Sequence, residues 1–219
     1  MSRLVCVGDS HAEIFYKIRN RYASLKNTLV LPVAGATNMG IKNPHSKTKA
    51  RPKIDAFLEK NLNKSDTLVF LMGEVDCGFV IWYRKEKYND TLESQFNESI
   101  NNYFDLILSY KDKCNSIIVC DVPPPTIGDN LKNKGNVANK RLGIKVTQLE
   151  RTKLSMRYNK MISEFCEKNG FKYLKYMDGL LNENGVVDTK YMNHDPSNHH
   201  LNNDKFSIVL GKKLNKVKL

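Results

Sequence analysis

Leu4-Val5-Cys6-Val7, followed at once by Gly8-Asp9-Ser10-His11, is an apolar run that ends in a tight turn. A short β-branched run of this kind predicts a buried strand, and the residues of Ala12–Arg21 predict a helix directly after it. A serine at such a turn exposes its hydroxyl beside the free N–H groups of the helix N-terminus, which suits a nucleophile. Asp9 and Ser10 are also good helix N-cap residues. The turn by itself therefore leaves two interpretations open, a nucleophile or a plain cap.

Strand and helix patterns alternate along the rest of the chain. The predicted strands are the apolar or β-branched runs Arg3–Val7, Thr28–Val33, Thr67–Met72, Ser116–Asp121 and Lys172–Tyr176. The predicted helices are Ala12–Arg21, Ile54–Asn61, Leu92–Tyr110, Thr147–Asn169 and Leu201–Leu214. This alternation predicts one α/β domain over residues 1–219, a three-layer α/β/α sandwich with a central five-stranded parallel sheet.

Composition and charge limit the classes of function. The chain has 219 residues, enough for one sizeable core, and a net charge of +12. Such a charge is typical of proteins that bind nucleic acid. However, the lysines are spread from Lys17 to Lys218, and no basic segment is interleaved with aromatic residues. We therefore predict that nucleic acid is not a partner.

Cysteine usage and hydropathy bear on the compartment. The five cysteines are scattered and form no Cys-x-x-Cys pair, which predicts reduced thiols. No apolar stretch is long enough to cross a membrane, and the early strand leaves no room for a signal peptide. We therefore expect a cytoplasmic protein without a membrane partner.

Distinctive residues follow the ends of the predicted strands. Gly8-Asp9-Ser10 follows the first, Gly35 the second and Gly73-Glu74-Val75-Asp76 the third, and His194–Asn202 precedes the last helix. Ligands bind outside the carboxyl ends of the strands in an open α/β sheet. We therefore expect a candidate nucleophile and a late Asp/His cluster to meet at one edge.

In this order, the blocks from Gly8 to Asn202 resemble those of the SGNH, or GDSL, hydrolases. The resemblance implies the flavodoxin-like fold of that family, ester hydrolysis through an acyl-serine, and no cofactor. It gives the nucleophile role to Ser10 and an oxyanion-hole N–H to Gly35. It gives the role of general base to His200, because His200-Leu201 fits the histidine end of the family's late block.

The late block departs from the family pattern Asp-x-x-His, since Ser197 stands three residues before His200. Asp195 is the nearest acid, and we predict that it orients the base; a Ser–His dyad is the alternative. His199 is the alternative base. Metal binding by this cluster is the weaker interpretation, because its spacing matches no zinc signature. The sequence therefore predicts no metal.

The third block departs as well. The family has Gly-x-Asn-Asp there, with the asparagine amide as an oxyanion donor, whereas this chain has Val75. One missing donor costs about a hundred-fold or more in rate. Asn38 is the candidate replacement donor. Glu74 is predicted to face the site, and Asp76 to support its loops through hydrogen bonds.

Two functions from different classes follow. The first is a serine hydrolase that cleaves an ester of a small molecule or a carbohydrate, with an acetylated carbohydrate favoured by the polar loops. The second is a catalytically impaired SGNH-fold binding protein, which Val75 and the uncertain acid favour. The sequence does not indicate the oligomeric state.

Overall fold

Five parallel strands form the centre of the computed structural model, which describes residues 3–130, 139–141 and 143–217. The strands are β1 (Leu4–Gly8), β2 (Leu29–Pro32), β3 (Thr67–Leu71), β4 (Ser116–Cys120) and β5 (Lys172–Leu174). They lie in the order β2-β1-β3-β4-β5, and every neighbouring pair is parallel. The predicted five-stranded parallel sheet is therefore confirmed, with strand ends shifted by at most two residues.

Helices cover both faces of the sheet. They are α1 (Ile14–Arg21), α2 (Ala50–Asn61), α3 (Ile81–Lys87), α4 (Leu92–Leu108), α5 (Gln148–Asn169) and α6 (Asn203–Lys216). Across the part of the chain that the structure describes, no helix is both long and apolar enough to span a bilayer.

The apolar core lies in two layers, one on each face of the sheet. Val5 and Val7 of β1 pack in the same cluster as the buried residues of α2, α3, α4 and α5. Leu4 and Cys6 pack in the other cluster, with the buried residues of α1 and α6. Successive side chains of a strand point to opposite faces, so β1 is buried on both sides. This is the three-layer sandwich that the alternating pattern predicts.

Three helices begin two or more residues from their predicted start, and one of them is α6, which begins at Asn203 rather than Leu201. The helix expected from Ala12 begins as a 3₁₀ turn, Ser10–Glu13, which continues into α1. The side chain of Asp9 caps this turn by accepting from His11 N. Helix α2 begins at Ala50 rather than Ile54, because proline is tolerated in the first helical turn, where its missing N–H costs no hydrogen bond.

Helix α3 was not predicted. It follows a π-helical turn, Asp76–Val80, that starts just after β3. Aromatic and β-branched residues dominate its start, so the sequence shows no helical period there. Tertiary contacts decide its conformation instead: Ile81 is fully buried, and Trp82 Nε1 donates to Cys77 O at 2.8 Å.

Close contact between β1 and β3 fixes the turn that carries Ser10. Gly8 and Leu71 are partners in the register of these strands, and Asp9 N donates to Leu71 O at 3.2 Å. A Cβ on Gly8 would lie 1.9 Å from Leu71 O. Only glycine allows this approach. The end of β1 is therefore fixed in position relative to β3.

Candidate active site

Ser10 and His200 meet at the carboxyl edge of the sheet. Ser10 opens the 3₁₀ turn after β1, and His200 lies in the loop before α6. His200 Nε2 is 2.8 Å from Ser10 Oγ. Both residues line a small pocket of about 110 Å³. The structure therefore brings the predicted nucleophile within hydrogen-bond reach of the predicted base.

The other ring nitrogen of His200 is held by an amide. Asn198 Oδ1 lies 2.9 Å from His200 Nδ1 and accepts from His200 N at 2.9 Å. An amide oxygen can only accept, so Nδ1 carries the proton in this contact. The lone pair of Nε2 is then directed at the Ser10 hydroxyl. This is the tautomer that a general base requires.

Asp195, the acid that the sequence predicts beside His200, is bonded elsewhere. Its Oδ1 accepts from Ser197 N at 2.9 Å and from Ser197 Oγ at 2.7 Å. Such Asx turns form readily two residues ahead in an irregular loop. Asn198 forms the next turn of this kind, so it is Asn198 rather than Asp195 that is placed against Nδ1 of His200.

In the arrangement around His200, which we call a clamp, a side-chain oxygen accepts from the backbone N–H of a histidine two residues later and lies beside its Nδ1. The same clamp occurs a second time, around His11. Asp9 Oδ1 lies 3.0 Å from His11 Nδ1 and accepts from His11 N at 2.9 Å. The second oxygen of Asp9 accepts from Gly73 N at 3.1 Å and so joins the turn after β1 to the end of β3. His11 is buried, with its Nε2 3.4 Å from His199 O. The predictions from sequence assign no role to His11.

The pKa values of the three histidines are shifted in different directions. Burial, together with the charges of His11 and Arg141, lowers the pKa of His200 to about 3. Burial and the positive charges of Arg141 and His11 lower the pKa of His199 to about 2. Burial would also lower the pKa of His11, but the charge and hydrogen bond of Asp9 outweigh it, and the pKa is raised. His200 is therefore neutral at pH 7 and able to accept a proton.

Glu74 forms a buried ion pair beside these rings. Arg141 Nη2 donates to Glu74 Oε2 at 2.5 Å, and the side chains of both residues are at most 3% exposed. The same oxygen lies 3.8 Å from His11 Nε2. Glu74 thus faces the histidines through His11, while the guanidinium of Arg141 balances its charge. Arg141 gives no signal in the sequence, because its partner is 67 positions away.

Asp76 ties the loop after β2 to the block after β3. Its carboxylate accepts from Asn38 N at 2.8 Å, from Met39 N at 3.0 Å and from Ser99 Oγ at 3.0 Å. Burial, which outweighs these hydrogen bonds, raises the pKa of Asp76 to about 6. Through its contacts with Asn38 N and Met39 N, the carboxylate holds the loop after β2 against the block after β3.

Asp76→Asn is expected to lower the free energy of unfolding by about 1–3 kcal/mol at pH 7.5. An amide has one accepting oxygen, so at least one of the buried N–H groups of Asn38 and Met39 loses its partner. Urea unfolding followed by circular dichroism measures the difference. Asp112→Asn, at an exposed position, is the control and is expected to leave the unfolding midpoint in place. Equal midpoints for the two variants would contradict this account of the loop.

Gly35 and Asn38, the predicted oxyanion donors, lie in the loop after β2. Gly35 has φ +72°, in the left-handed region that favours glycine, and its strand neighbours β1. The side-chain Nδ2 of Asn38 donates to Tyr158 OH at 2.9 Å. The amide of Asn38 is therefore directed toward α5, and the backbone N–H of Gly35 remains the predicted donor.

Comparison with solved structures places this architecture among known folds. A GDSL-like lipase of Bacteroides thetaiotaomicron matches with a TM-score of 0.62 and 14% identity, over 99% of this chain and 89% of that chain. A candidate acylhydrolase of Bacteroides fragilis matches with a TM-score of 0.65 and 12% identity, over 98% and 87% of the two chains. An acetylxylan esterase of Geobacillus stearothermophilus matches with a TM-score of 0.54 and 13% identity, over 98% and 93%.

No protein-family model matches the chain, and no curated protein sequence matches it. The likeness is thus one of structure at low sequence identity. The protein has the α/β fold of the GDSL-like, or SGNH, hydrolases, as its strand order also indicates.

Proposed function

We propose that the protein is a serine esterase in which Ser10 is the nucleophile and His200 the general base. One observation carries the proposal: Ser10 Oγ lies 2.8 Å from His200 Nε2, while Asn198 holds the opposite ring nitrogen. A serine hydroxyl is a weak nucleophile until an adjacent base removes its proton. The fold of the esterases and lipases described above supports the same activity.

The proposed reaction has two halves that use the same base. His200 Nε2 accepts the proton of Ser10 Oγ as that oxygen bonds to the ester carbonyl carbon. The protonated ring then donates to the leaving alcohol oxygen as its bond to carbon breaks, which gives an acyl-Ser10. Water repeats the sequence and releases the acid. The backbone N–H groups of Ser10 and Gly35 are the proposed donors to the carbonyl oxygen in both halves.

Asn198 gives the base its orientation without giving it a negative charge. A carboxylate at this position both sets the tautomer and stabilises the imidazolium that forms during reaction. A neutral amide does only the first, and the low pKa of His200 agrees with this. A histidine paired with an asparagine also occurs in cysteine proteases of the papain type. We therefore propose Asn198, in place of Asp195, as the third member of the site.

Asn198→Asp is expected to move the acidic limb of the pH–rate profile to higher pH. A carboxylate beside Nδ1 favours the imidazolium and raises the pKa of His200. The base works unprotonated, so activity is lost as the pH falls through this pKa, and a higher pKa brings the loss earlier. For the unaltered protein, kcat/KM is expected to stay level from pH 8 down to about pH 5.

The measurement is kcat/KM for a p-nitrophenyl ester between pH 4 and pH 9. Asp195→Asn is the matched control, because it changes an acid to an amide in the same loop but does not touch His200 Nδ1. Its profile is expected to overlay that of the unaltered protein. If Asp195→Asn shifts the limb and Asn198→Asp does not, the assignment of Asn198 is wrong.

The substrate that fits best carries a short acyl group. The pocket beside Ser10 and His200 has a volume of about 110 Å³, which favours acetyl over a long acyl chain. One of the proteins of similar fold is an acetylxylan esterase. This supports an acetylated carbohydrate as the proposed substrate class.

A fluorophosphonate probe tests the proposal directly. The probe phosphonylates a serine only where a base activates it. We expect a single covalent adduct, which peptide mass spectrometry maps to Ser10, together with turnover of p-nitrophenyl acetate. The absence of both would contradict the proposal.

An impaired binding protein is the second candidate, and one observation favours it. Val75 stands where an amide donor is expected, and the amide of Asn38 donates to Tyr158. Removal of one oxyanion donor costs about 10²–10³-fold in kcat. This candidate predicts no adduct at Ser10 and no turnover, so the same experiment separates the two.

A further inference from the structure

Three histidine rings meet beside Ser10, although only one of them acts in the proposed reaction. One ring nitrogen from each of His11, His199 and His200 lies within 4.8 Å of the other two. The ring centroids are 4.1 Å apart for His199 and His200, and 4.5 Å apart for His11 and His200. The turn after β1 supplies the first ring, and the loop before α6 supplies the other two.

Two of the rings are already held as metal-bound histidines are. A ligating histidine usually donates its second ring N–H to a carboxylate or carbonyl oxygen, which fixes the ring and its tautomer. Asp9 Oδ1 takes this place for His11 at 3.0 Å, and Asn198 Oδ1 takes it for His200 at 2.9 Å. Nε2 of His200 then faces Ser10 Oγ at 2.8 Å, and Nε2 of His11 lies 3.4 Å from His199 O and 3.8 Å from Glu74 Oε2. An ion bound at these two atoms would take the place of those contacts.

We propose that His11, His199 and His200 form a binding site for a zinc-like divalent ion, and that the bound ion inhibits the esterase. Imidazole nitrogens suit Zn²⁺, Ni²⁺ and Cu²⁺. A Zn–N bond at His200 Nε2 replaces the hydrogen bond from Ser10 Oγ, so the serine keeps its proton and loses its base. The inhibition rests on the proposed function, whereas the binding does not.

The geometry requires a modest closure of the rings. Ligand nitrogens about 2.0–2.1 Å from a tetrahedral zinc lie about 3.3 Å from one another. The ring nitrogens of the cluster lie within 4.8 Å of one another. His199 is partly exposed, and its ring packs 4.1 Å from that of His200 and 5.3 Å from that of His11. The closure therefore requires a rotation of this ring toward the other two.

Charges of both signs surround the three rings. The carboxylates of Asp9 and Glu74 lie at the two ring nitrogens of His11, 3.0 Å and 3.8 Å away. Arg141 is the nearby positive group, and it is paired with Glu74. The charges of Arg141 and His11 lower the pKa values of His199 and His200 and so act against a further positive charge, whereas Asp9 acts in its favour at His200. Because Glu74 is paired with Arg141, Asp9 is the acidic side chain left to offset the charge of an ion.

Calorimetric titration of the metal-free protein with ZnCl₂ tests the binding. We expect one ion per chain, and we expect Co²⁺ to give the intense visible bands of a tetrahedral site. His199→Ala is expected to weaken zinc binding by about tenfold or more, because it removes a ligand. His45→Ala is the control, because His45 is exposed and does not belong to the cluster. This variant is expected to bind zinc as tightly as the unaltered protein.

Esterase assays with added ZnCl₂ and then EDTA test the consequence. We expect inhibition over the same concentration range as binding, and recovery with the chelator. Absence of zinc binding, or equal binding by His199→Ala, would overturn the proposed site. Zinc binding by a protein that hydrolyses no ester would leave the site standing and contradict only the proposed function. Binding without inhibition would show that the ion does not reach His200 Nε2, which overturns the proposed inhibition.

Discussion

Ser10→Ala is expected to lower kcat/KM for p-nitrophenyl acetate by about 10⁴-fold or more. The substitution removes the hydroxyl whose proton His200 Nε2 accepts in the proposed reaction, so no acyl-Ser10 can form. The fold is expected to survive, because Ser10 contributes its hydroxyl to His200 alone among the described residues. Circular dichroism and the unfolding midpoint check that point alongside the assay.

The matched control is Ser197→Ala. Ser197 lies in the loop that carries His200, but its hydroxyl donates to Asp195 Oδ1. Its kcat/KM is expected to stay within about threefold of the unaltered protein, since it contacts neither reacting atom. We also expect Ser10→Ala and His200→Ala to lose similar amounts, and the double variant to lose no more than either, because the two residues act as one unit. Additive losses would show that the two side chains act separately.

Gly8→Ala is expected to have the largest effect on stability, at least about 3 kcal/mol. The added Cβ would lie 1.9 Å from Leu71 O and 3.0 Å from Ala12 Cβ. The first of these neighbours is backbone in the centre of the sheet, so a side chain cannot rotate away to make room. The pair of strands must separate, and the turn that carries Ser10 must move with them.

Urea unfolding measures this loss, and Gly179→Ala is its control. Gly179 lies in a 3₁₀ turn, and a Cβ added there meets nothing within 4 Å. Its substitution is expected to leave stability unchanged or slightly raised, because alanine has less conformational freedom in the unfolded chain. If Gly8→Ala were as stable as Gly179→Ala, the close contact between β1 and β3 would not be a constraint.

Local sequence was sufficient to predict the sheet. Each strand is a short β-branched or apolar run bounded by polar or glycine residues, and such runs have few alternatives in a chain of this size. Helix α3 shows where this reasoning ends. Ile81 and Trp82 are helical because Ile81 is buried in the core and Trp82 Nε1 donates to Cys77 O. The local sequence pattern indicates neither contact.

The candidate site was predictable in part for similar reasons. Ser10 and His200 stand at strand and loop ends that any open parallel sheet brings to one edge. The partner of His200 could not be predicted in this way. A carboxylate is the usual partner of such a histidine, which favoured Asp195, whereas the path of the loop places Asn198 beside Nδ1. A signal does exist: Asp9-Ser10-His11 and Asn198-His199-His200 share the spacing of an acceptor two residues before a histidine. In an Asx turn the side chain of Asp or Asn accepts from the backbone N–H two residues later, which brings it close to the histidine at that position.

The Asn198 clamp has a consequence for how such a site arises in evolution and for its design. Three consecutive residues contain both the imidazole and the group that selects its tautomer, so the ring of His200 reaches Ser10 already oriented. In a triad whose acid comes from another part of the chain, two remote segments must be positioned together before the histidine can act. Here a single loop has to be positioned, because the tripeptide carries the acceptor of its own histidine.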